Sequence, residues 1–294
     1  MIRCQHISEI LNDCPLENKG NCHTFNTGFA CLDNLIGGFQ PRELVTIAGR
    51  PCMGKTALCL SLAHKFALTD KIPTAIFCLE SNQRTFIHQL MANVAALPCH
   101  ALRKNAVLSP EEKEKLEKAT RQLATSPLYV NVPPYAGGFC LLTMSELADS
   151  IKEVVQKQGV KIVFVIGFQH INTDCYMPQS YRRHAFTLKK LALEWNVTIV
   201  TTSFLNWWIE NRNGVEGKYP QLGDLRYVGD LDEISDIVLG VFRPAGYNVN
   251  MDIEGNDLTN TLHLSLLKTK AGIDNIVMDL KIDMDTFSVQ EKDN

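Results

Sequence analysis

The eight residues Gly49-Arg50-Pro51-Cys52-Met53-Gly54-Lys55-Thr56 have the types and spacing to hold a polyphosphate. They fit the pattern GxxxxGK[ST] and stand between an apolar run, Leu44–Ala48, and a helical pattern, Thr56–Phe66, which is the context this motif requires. Glycines let the backbone curl until its N–H groups and the N-terminus of the following helix converge on phosphate oxygens. Lys55 then brings a point charge to the β- and γ-phosphates, and the hydroxyl of Thr56 suits a Mg2+ ligand. The expected ligand is ATP with Mg2+, and Gly49 through Ala57 are the expected contacts. A second candidate is Glu80, at the carboxyl end of the run Ile76-Phe77-Cys78-Leu79. That end of a parallel strand faces the ligand crevice of an open α/β sheet, where a carboxylate can orient or deprotonate a water; a solvated strand-end acid is the plainer reading.

A phosphate loop needs a strand to deliver it and a helix to open behind it. Strand-like runs recur at Leu44–Ala48, Thr74–Leu79, Leu128–Val132, Ile162–Ile166, Val197–Thr202, Ile237–Phe242, Leu262–Lys268 and Ile276–Ile282. Helical patterns lie between the earlier ones. Ser109-Pro110 with Glu112 predicts a capped start for Glu111–Leu123, Thr143 with Glu146 predicts another, and Tyr181–Trp195 carries apolar residues at helical spacing. Strand–helix alternation implies a mostly parallel twisted sheet flanked by helices, and the helix-free tail implies antiparallel edge strands at the C-terminus. Residues 1–25 read as a short helix, His6–Leu11, and a linker; residues 26–294 read as one α/β domain. Pro133-Pro134 with Gly137-Gly138, and the stretch Asn211–Gly223, read as loops.

Composition bounds the partners. Apolar residues make up 45% and charged residues 21%, a globular balance, and the net charge of −3 supplies no bulk field for nucleic acid or membrane. The apolar runs are too short to span a bilayer, and no secretory leader is evident. The ten cysteines contain no CxxC pair and read as reduced thiols of a cytoplasmic protein. Cys4, His6, Cys14, Cys22, His23 and Cys31 gather near the N-terminus, but at the spacing of no common zinc finger.

Thr27-Gly28-Phe29, Leu32-Asp33 and Gly37-Gly38-Phe39-Gln40-Pro41, followed by the Arg-Pro-x-Met-Gly-Lys-Thr wording of the loop, resemble the C-terminal motor domain of DnaB-like replicative DNA helicases. So do Phe77-Cys78-Leu79-Glu80, Asn196-Val197, Ser203-x-Leu205-Asn206, Asp224-Leu225-Arg226 and Ser235-Asp236-Ile237-Val238. The resemblance runs from about Thr24 to Val289; residues 1–25 resemble only the family's linker helix, and its N-terminal helical domain finds no counterpart. It implies a RecA-like P-loop NTPase fold and a ring-shaped homo-oligomer, a hexamer in that family. It also implies ATP between neighbours, single-stranded DNA in the centre, and other replication proteins as partners. By position, Glu80 is the catalytic carboxylate, and Lys268 and Lys270, in Lys-Thr-Lys-Ala-Gly, reach a neighbour's γ-phosphate. Arg182, Arg183, Arg212 and Lys218 lie in or near the loops that would face DNA, where their charges suit phosphates.

Three positions depart from the family pattern. Gly167 stands where a Walker B Asp follows the strand, His170 where a γ-phosphate-sensing Gln is usual, and Lys270 where the inter-subunit finger is usually Arg. A point charge replaces a planar fork at a place where arginine fingers contribute about three to five decades of rate. Asp174, seven residues beyond Gly167, falls past the strand end. The sequence therefore implies nucleotide binding with impaired turnover, either in a motor or in a regulatory relative. Other positions leave two readings open. His170 either polarises a phosphate oxygen or caps its strand. Trp207-Trp208 either stack on bases, at about 1–3 kcal/mol each, or anchor their loop. Asp224 with Arg226 either couple the DNA loop to a nucleotide site or close a local turn. Cys52 would expose the phosphate loop to thiol reagents.

Overall fold

The computed structural model describes residues 24–102, 108–136, 139–173, 178–226 and 229–292. Each apolar run of the sequence forms a strand: Leu44–Ala48 (β1), Thr74–Cys78 (β2), Leu128–Asn131 (β3), Ile162–Ile166 (β6), Thr198–Ser203 (β7), Ile237–Phe242 (β8), Thr261–Thr269 (β9) and Ile276–Asp283 (β10). Ser288–Glu291 (β11) adds a last edge strand, and Tyr135–Ala136 (β4) with Phe139–Cys140 (β5) forms a small separate hairpin. The main sheet has nine strands in the order β11-β10-β9-β8-β1-β7-β6-β2-β3. From β8 to β3 all pairings are parallel, and from β8 through β9 and β10 to β11 all are antiparallel. The expected mixture of a parallel body and an antiparallel C-terminal edge is present.

Every residue of β1, β2, β6, β7 and β8 is buried, which explains why these strands read as unbroken apolar runs rather than alternating ones. Strand geometry then sorts the residues between two cores. Val45, Ile47, Ile76, Phe164 and Ile166 face one layer, and Leu44, Ala48, Phe77, Val163 and Val165 face the other. Seven residues, Ala30–Ile36, form α1, which ends at Gly37. The first layer contains Lys55–Ala63 (α2) and Gln83–Ala95 (α3). After Pro110–Ala124 (α4), Met144–Gln158 (α5) and Pro178–Trp195 (α6) cover the second. A π-helical turn, His64–Thr69, continues α2 and includes the fully buried Phe66. The Phe66 ring meets Phe25, Phe39 and Phe164 at centroid distances of 6.5, 6.3 and 6.4 Å, so it fastens the segment before β1 to the sheet. Truncating such a buried ring costs about 3–5 kcal/mol.

Both expected capping boxes form. Ser109 Oγ accepts from Glu112 N while the Glu112 carboxylate accepts from Ser109 N, and Thr143 and Glu146 repeat the exchange. The helices α1 and α3 and the strand β11 were not foreseen. Asn82 caps α3 by accepting from Thr85 N at 3.0 Å, but Thr85 stands where a capping box needs Glu or Gln, so only half the signal is present. In β11 only Val289 is buried, and alternation over so short a polar run leaves little pattern. The expected linker helix His6–Leu11 lies outside the described residues, as do Asp174 and all of the N-terminal Cys/His group except Cys31.

Candidate active site

β1 ends at Ala48, and the chain turns into the loop 49–54 before α2 opens at Lys55. Gly49 N donates to Ser203 O of the neighbouring β7 at 3.1 Å, which fixes the loop's root. Gly54 adopts φ 97, and a Cβ there would come within 2.6 Å of Ile282 Cδ1; both facts require glycine. Lys55 is 5% exposed. Its Nζ donates to Gly49 O and Arg50 O at 2.9 and 3.0 Å, and it stands 4.6 Å over the Phe204 ring. The lysine is thus folded over its own loop. Burial pulls its ammonium pKa down to about 8, against the opposing pull of the Glu80 carboxylate. A cleft of about 390 Å³ opens here, lined by Pro51, Cys52, Gly54, Lys55, Thr56, Ala57, Glu80 and His170 from the expected set or beside it, and by Gln89, Phe204, Met284 and Phe287. Phosphate loop, strand-end acid and His170 therefore share one cavity. Gly49, Arg50 and Met53 lie outside its lining: Gly49 is at the loop's root, Arg50 turns to Glu210, and Met53 is buried against Gly246.

The strand end opposite Lys55 has an unusual packing. Gly167 has φ 97, and a Cβ built on it would lie 2.5 Å from Glu80 Cγ and 3.1 Å from His170 Nδ1. Two side chains thus crowd the space into which a residue at 167 would extend. Gly167 N is held by Thr202 Oγ1 at 2.8 Å, and His170 N by Gly167 O at 2.9 Å. His170 Nδ1 is buried and has no hydrogen-bond partner among the described residues. Burial lowers the imidazole pKa, Glu80 raises it, and Lys55 lowers it further. Gln169, unremarked in the sequence, donates to Ser203 Oγ at 2.7 Å and accepts from Phe204 N at 3.2 Å, tying this turn to the end of β7.

Lys268 and Lys270 lie at the far end of the sheet. Lys270 ion-pairs with Asp236, which is fully buried, also pairs with Lys189 at 2.5 Å, and accepts from Leu44 N at 2.6 Å. Burial alone would raise the Asp236 pKa; the two lysines hold it below the ordinary range. Lys268 Nζ donates to Asp232 O and Glu233 O at 2.7 and 3.0 Å. Leu44 begins the strand whose other end carries the phosphate loop, a rise of about 16 Å for five residues. Neither lysine reaches its own subunit's phosphate loop. In the sequence Asp236 stood out only as part of a motif, because its partners are 47 and 192 residues away in the chain.

The four cations assigned to DNA have these surroundings. Arg182 pairs with Asp230 at 2.6 Å and Glu233 at 3.1 Å; Arg212 pairs with Asp224; Lys218 donates to Glu210 O; Arg183 is exposed. Asp224 therefore closes its turn through Arg212, while Arg226 lies 3.9 Å from Asp232. Trp207 and Trp208 are 57% and 62% exposed and stacked on each other, with centroids 4.5 Å apart. Both are in the 3-10 turn Trp207–Asn211, whose Glu210 accepts from Arg50 of the phosphate loop at 2.7 Å and from Tyr247 at 3.0 Å.

Residues 24–287 match the model of the DnaB-like helicase C terminal domain. The chain belongs to that family. Among its relatives are the probable replicative DNA helicase of Trieres chinensis, 30% identical over 252 residues (84% of this chain, 53% of that protein), and the replicative DNA helicase DnaB of Treponema pallidum, 31% identical over 230 residues (77% and 49%). The chain spans about half the length of these relatives. The solved structure of a DnaB-like replicative helicase, described with its interactions with primase, shares the fold, with a TM-score of 0.81 at 21% identity over 98% of this chain and 66% of that one. A separately solved ATPase domain gives 0.80 at 21% identity, over 98% of this chain and 96% of that one.

In DnaB-like terms the loop is intact and the strand end is altered. Among the described residues no group of three or more His, Cys, Asp or Glu is arranged to hold a metal by itself. Thr56, the glycine cradle and the orphaned His170 Nδ1 still fit a divalent ion arriving on a nucleotide, since Mg2+ keeps several waters and needs few protein ligands. Among the described residues no helix is long and apolar enough to cross a membrane.

Proposed function

We propose that this chain is the motor domain of an ATP-dependent DNA helicase or translocase that works on single-stranded DNA as a ring of like subunits. The observation that carries this reading is the shared cleft: Lys55, Thr56 and Glu80 line one cavity at the carboxyl ends of parallel strands, on a DnaB-like domain. Lys55 holds the β- and γ-phosphates once it is released from Gly49 O and Arg50 O, and Glu80 positions the attacking water and takes its proton. Bound Mg2+ would neutralise charge building on the phosphate oxygens. Lys270, and with it Lys268, serves a neighbour's nucleotide; their distance from the home loop supports action across a subunit interface. Trp207 and Trp208 offer stacking faces to DNA bases, and Arg183, exposed on α6, is the most accessible of the four proposed phosphate contacts. A second reading is a DnaB-like paralogue of regulatory or accessory role that binds nucleotide and turns it over slowly. Gly167 favours it, since no carboxylate follows β6.

ATP hydrolysis with and without single-stranded DNA, in the wild type and in Lys55→Ala and Glu80→Gln, separates the two. A motor shows DNA-stimulated turnover, lost in both variants, with Glu80→Gln still binding ATP and slowed about 10²–10⁴-fold. Tight ATP binding without stimulated turnover in the wild type identifies the regulatory reading, and no ATP binding at all defeats both.

A further inference from the structure

The crowded strand end at Gly167 bears on which cation accompanies the nucleotide. Three observations converge there. A Cβ at 167 would meet Glu80 Cγ and His170 Nδ1 at 2.5 and 3.1 Å, so a side chain there requires Glu80 to shift. Nδ1 is buried, and among the described residues no donor or acceptor satisfies it. Its ring lines the same cleft as Thr56 and Glu80. A buried ring nitrogen without a partner is costly unless something else meets it. With the ring proton on Nε2, Nδ1 carries a lone pair, and it stands 3.1 Å from the place where a side chain at 167 would begin.

Resting on the nucleotide-binding reading above, we infer that His170 Nδ1 ligates the divalent ion of the bound nucleotide, so that this site prefers Mn2+ or Co2+ to Mg2+. Mg2+ is a hard ion that takes oxygen ligands and gives up water reluctantly. Imidazole is a poor exchange for that water but a good ligand for first-row transition ions, whose affinity for nitrogen-containing sites rises from Mn2+ to Co2+. A site with Thr56 oxygen, phosphate oxygens and one imidazole therefore differs from an all-oxygen site in the identity of its preferred ion. It does not differ in the need for one.

The test uses the full chain and the non-hydrolysable analogue AMPPNP. Affinity is measured by calorimetry with saturating Mg2+, Mn2+ or Co2+, in the wild type, His170→Ala and His170→Gln, after melting curves show that the variants fold. The inference expects His170→Ala to lose about tenfold or more affinity with Co2+ and much less with Mg2+. His170→Gln, which offers an amide oxygen, shifts the preference back toward Mg2+. Pulsed electron paramagnetic resonance of the Mn2+·AMPPCP complex, whose bridging group is carbon, shows the coupling of a directly bound imidazole nitrogen in the wild type and none in either variant. Normal nucleotide binding with no nitrogen coupling, or a metal preference unmoved by both substitutions, overturns the inference alone. Failure to bind the analogue with any of the three ions overturns the nucleotide reading beneath it as well.

Discussion

Gly167 turns the chain with φ 97 and leaves its Cβ position to Glu80 and His170. The departure from the family pattern is therefore matched by the packing around it, and placing the family's acid there is not expected to restore the family's site. Gly167→Asp is expected to destabilise the fold by about 1–3 kcal/mol from backbone conformation alone, to displace Glu80, and to lower ATP hydrolysis rather than raise it. Melting curves and steady-state turnover check this, and a faster, equally stable variant would contradict the packing argument. Lys55 sets a second expectation. Its pKa of about 8 belongs to the free protein, where burial disfavours the charge. Below that pH the ammonium is charged both free and bound, and binding moves no proton. Above it free Lys55 is increasingly neutral, whereas a bound phosphate holds it charged, so binding takes up a proton and weakens as pH rises. Calorimetry of AMPPNP binding in buffers of different ionisation enthalpy reads that uptake, which should be small at about pH 7 and pronounced at about pH 9.

The 3-10 turn Trp207–Asn211 divides the two readings of its tryptophans by exposure. Side chains that anchor a loop are buried, but Trp207 and Trp208 are 57% and 62% exposed and packed mainly on each other, while Ile209 is the buried member. Trp207→Ala and Trp208→Ala are each expected to weaken single-stranded DNA binding by about 1–3 kcal/mol with little change in melting temperature. Fluorescence anisotropy with a labelled oligonucleotide and a thermal melt read the two quantities; a lowered melt with unchanged DNA affinity would identify an anchor. Element by element, the legible parts of the fold were those whose signal is local. Buried parallel strands are written as apolar runs, and α4 and α5 carry complete capping boxes. The helix α3 carries half of one, and β11 has a single buried residue, so neither stood out. The phosphate loop was legible for the same reason, being eight adjacent residues between a strand and a helix. Glu210, Gln169 and Asp236 were not, since each acquires its role from partners 34 to 192 residues away. The net charge of −3 likewise gave no sign that three of the four proposed DNA-facing cations have internal partners.

At the scale of the whole molecule the phosphate loop and the Lys268–Lys270 pair occupy opposite ends of one sheet, so on the proposed reading each nucleotide site is completed by a neighbouring subunit. This makes a mixing experiment decisive. On that reading Lys55→Ala subunits are expected to bind no nucleotide but still to present Lys270, and Lys270→Ala subunits to bind nucleotide but present no finger. Each alone should be nearly inactive, and an equimolar mixture should turn over at least about tenfold faster than either. Unchanged inactivity in mixed rings, shown by cross-linking to contain both variants, would mean that Lys270 serves no neighbour. The contact between Arg50 and Glu210 has a different reach. Arg50 belongs to the proposed nucleotide loop, and Glu210 sits in the turn that carries the two exposed indoles. With Tyr247 as a second restraint on the same carboxylate, the proposed nucleotide and DNA faces would be joined through one side chain, so that a shift of the loop would pull on the turn.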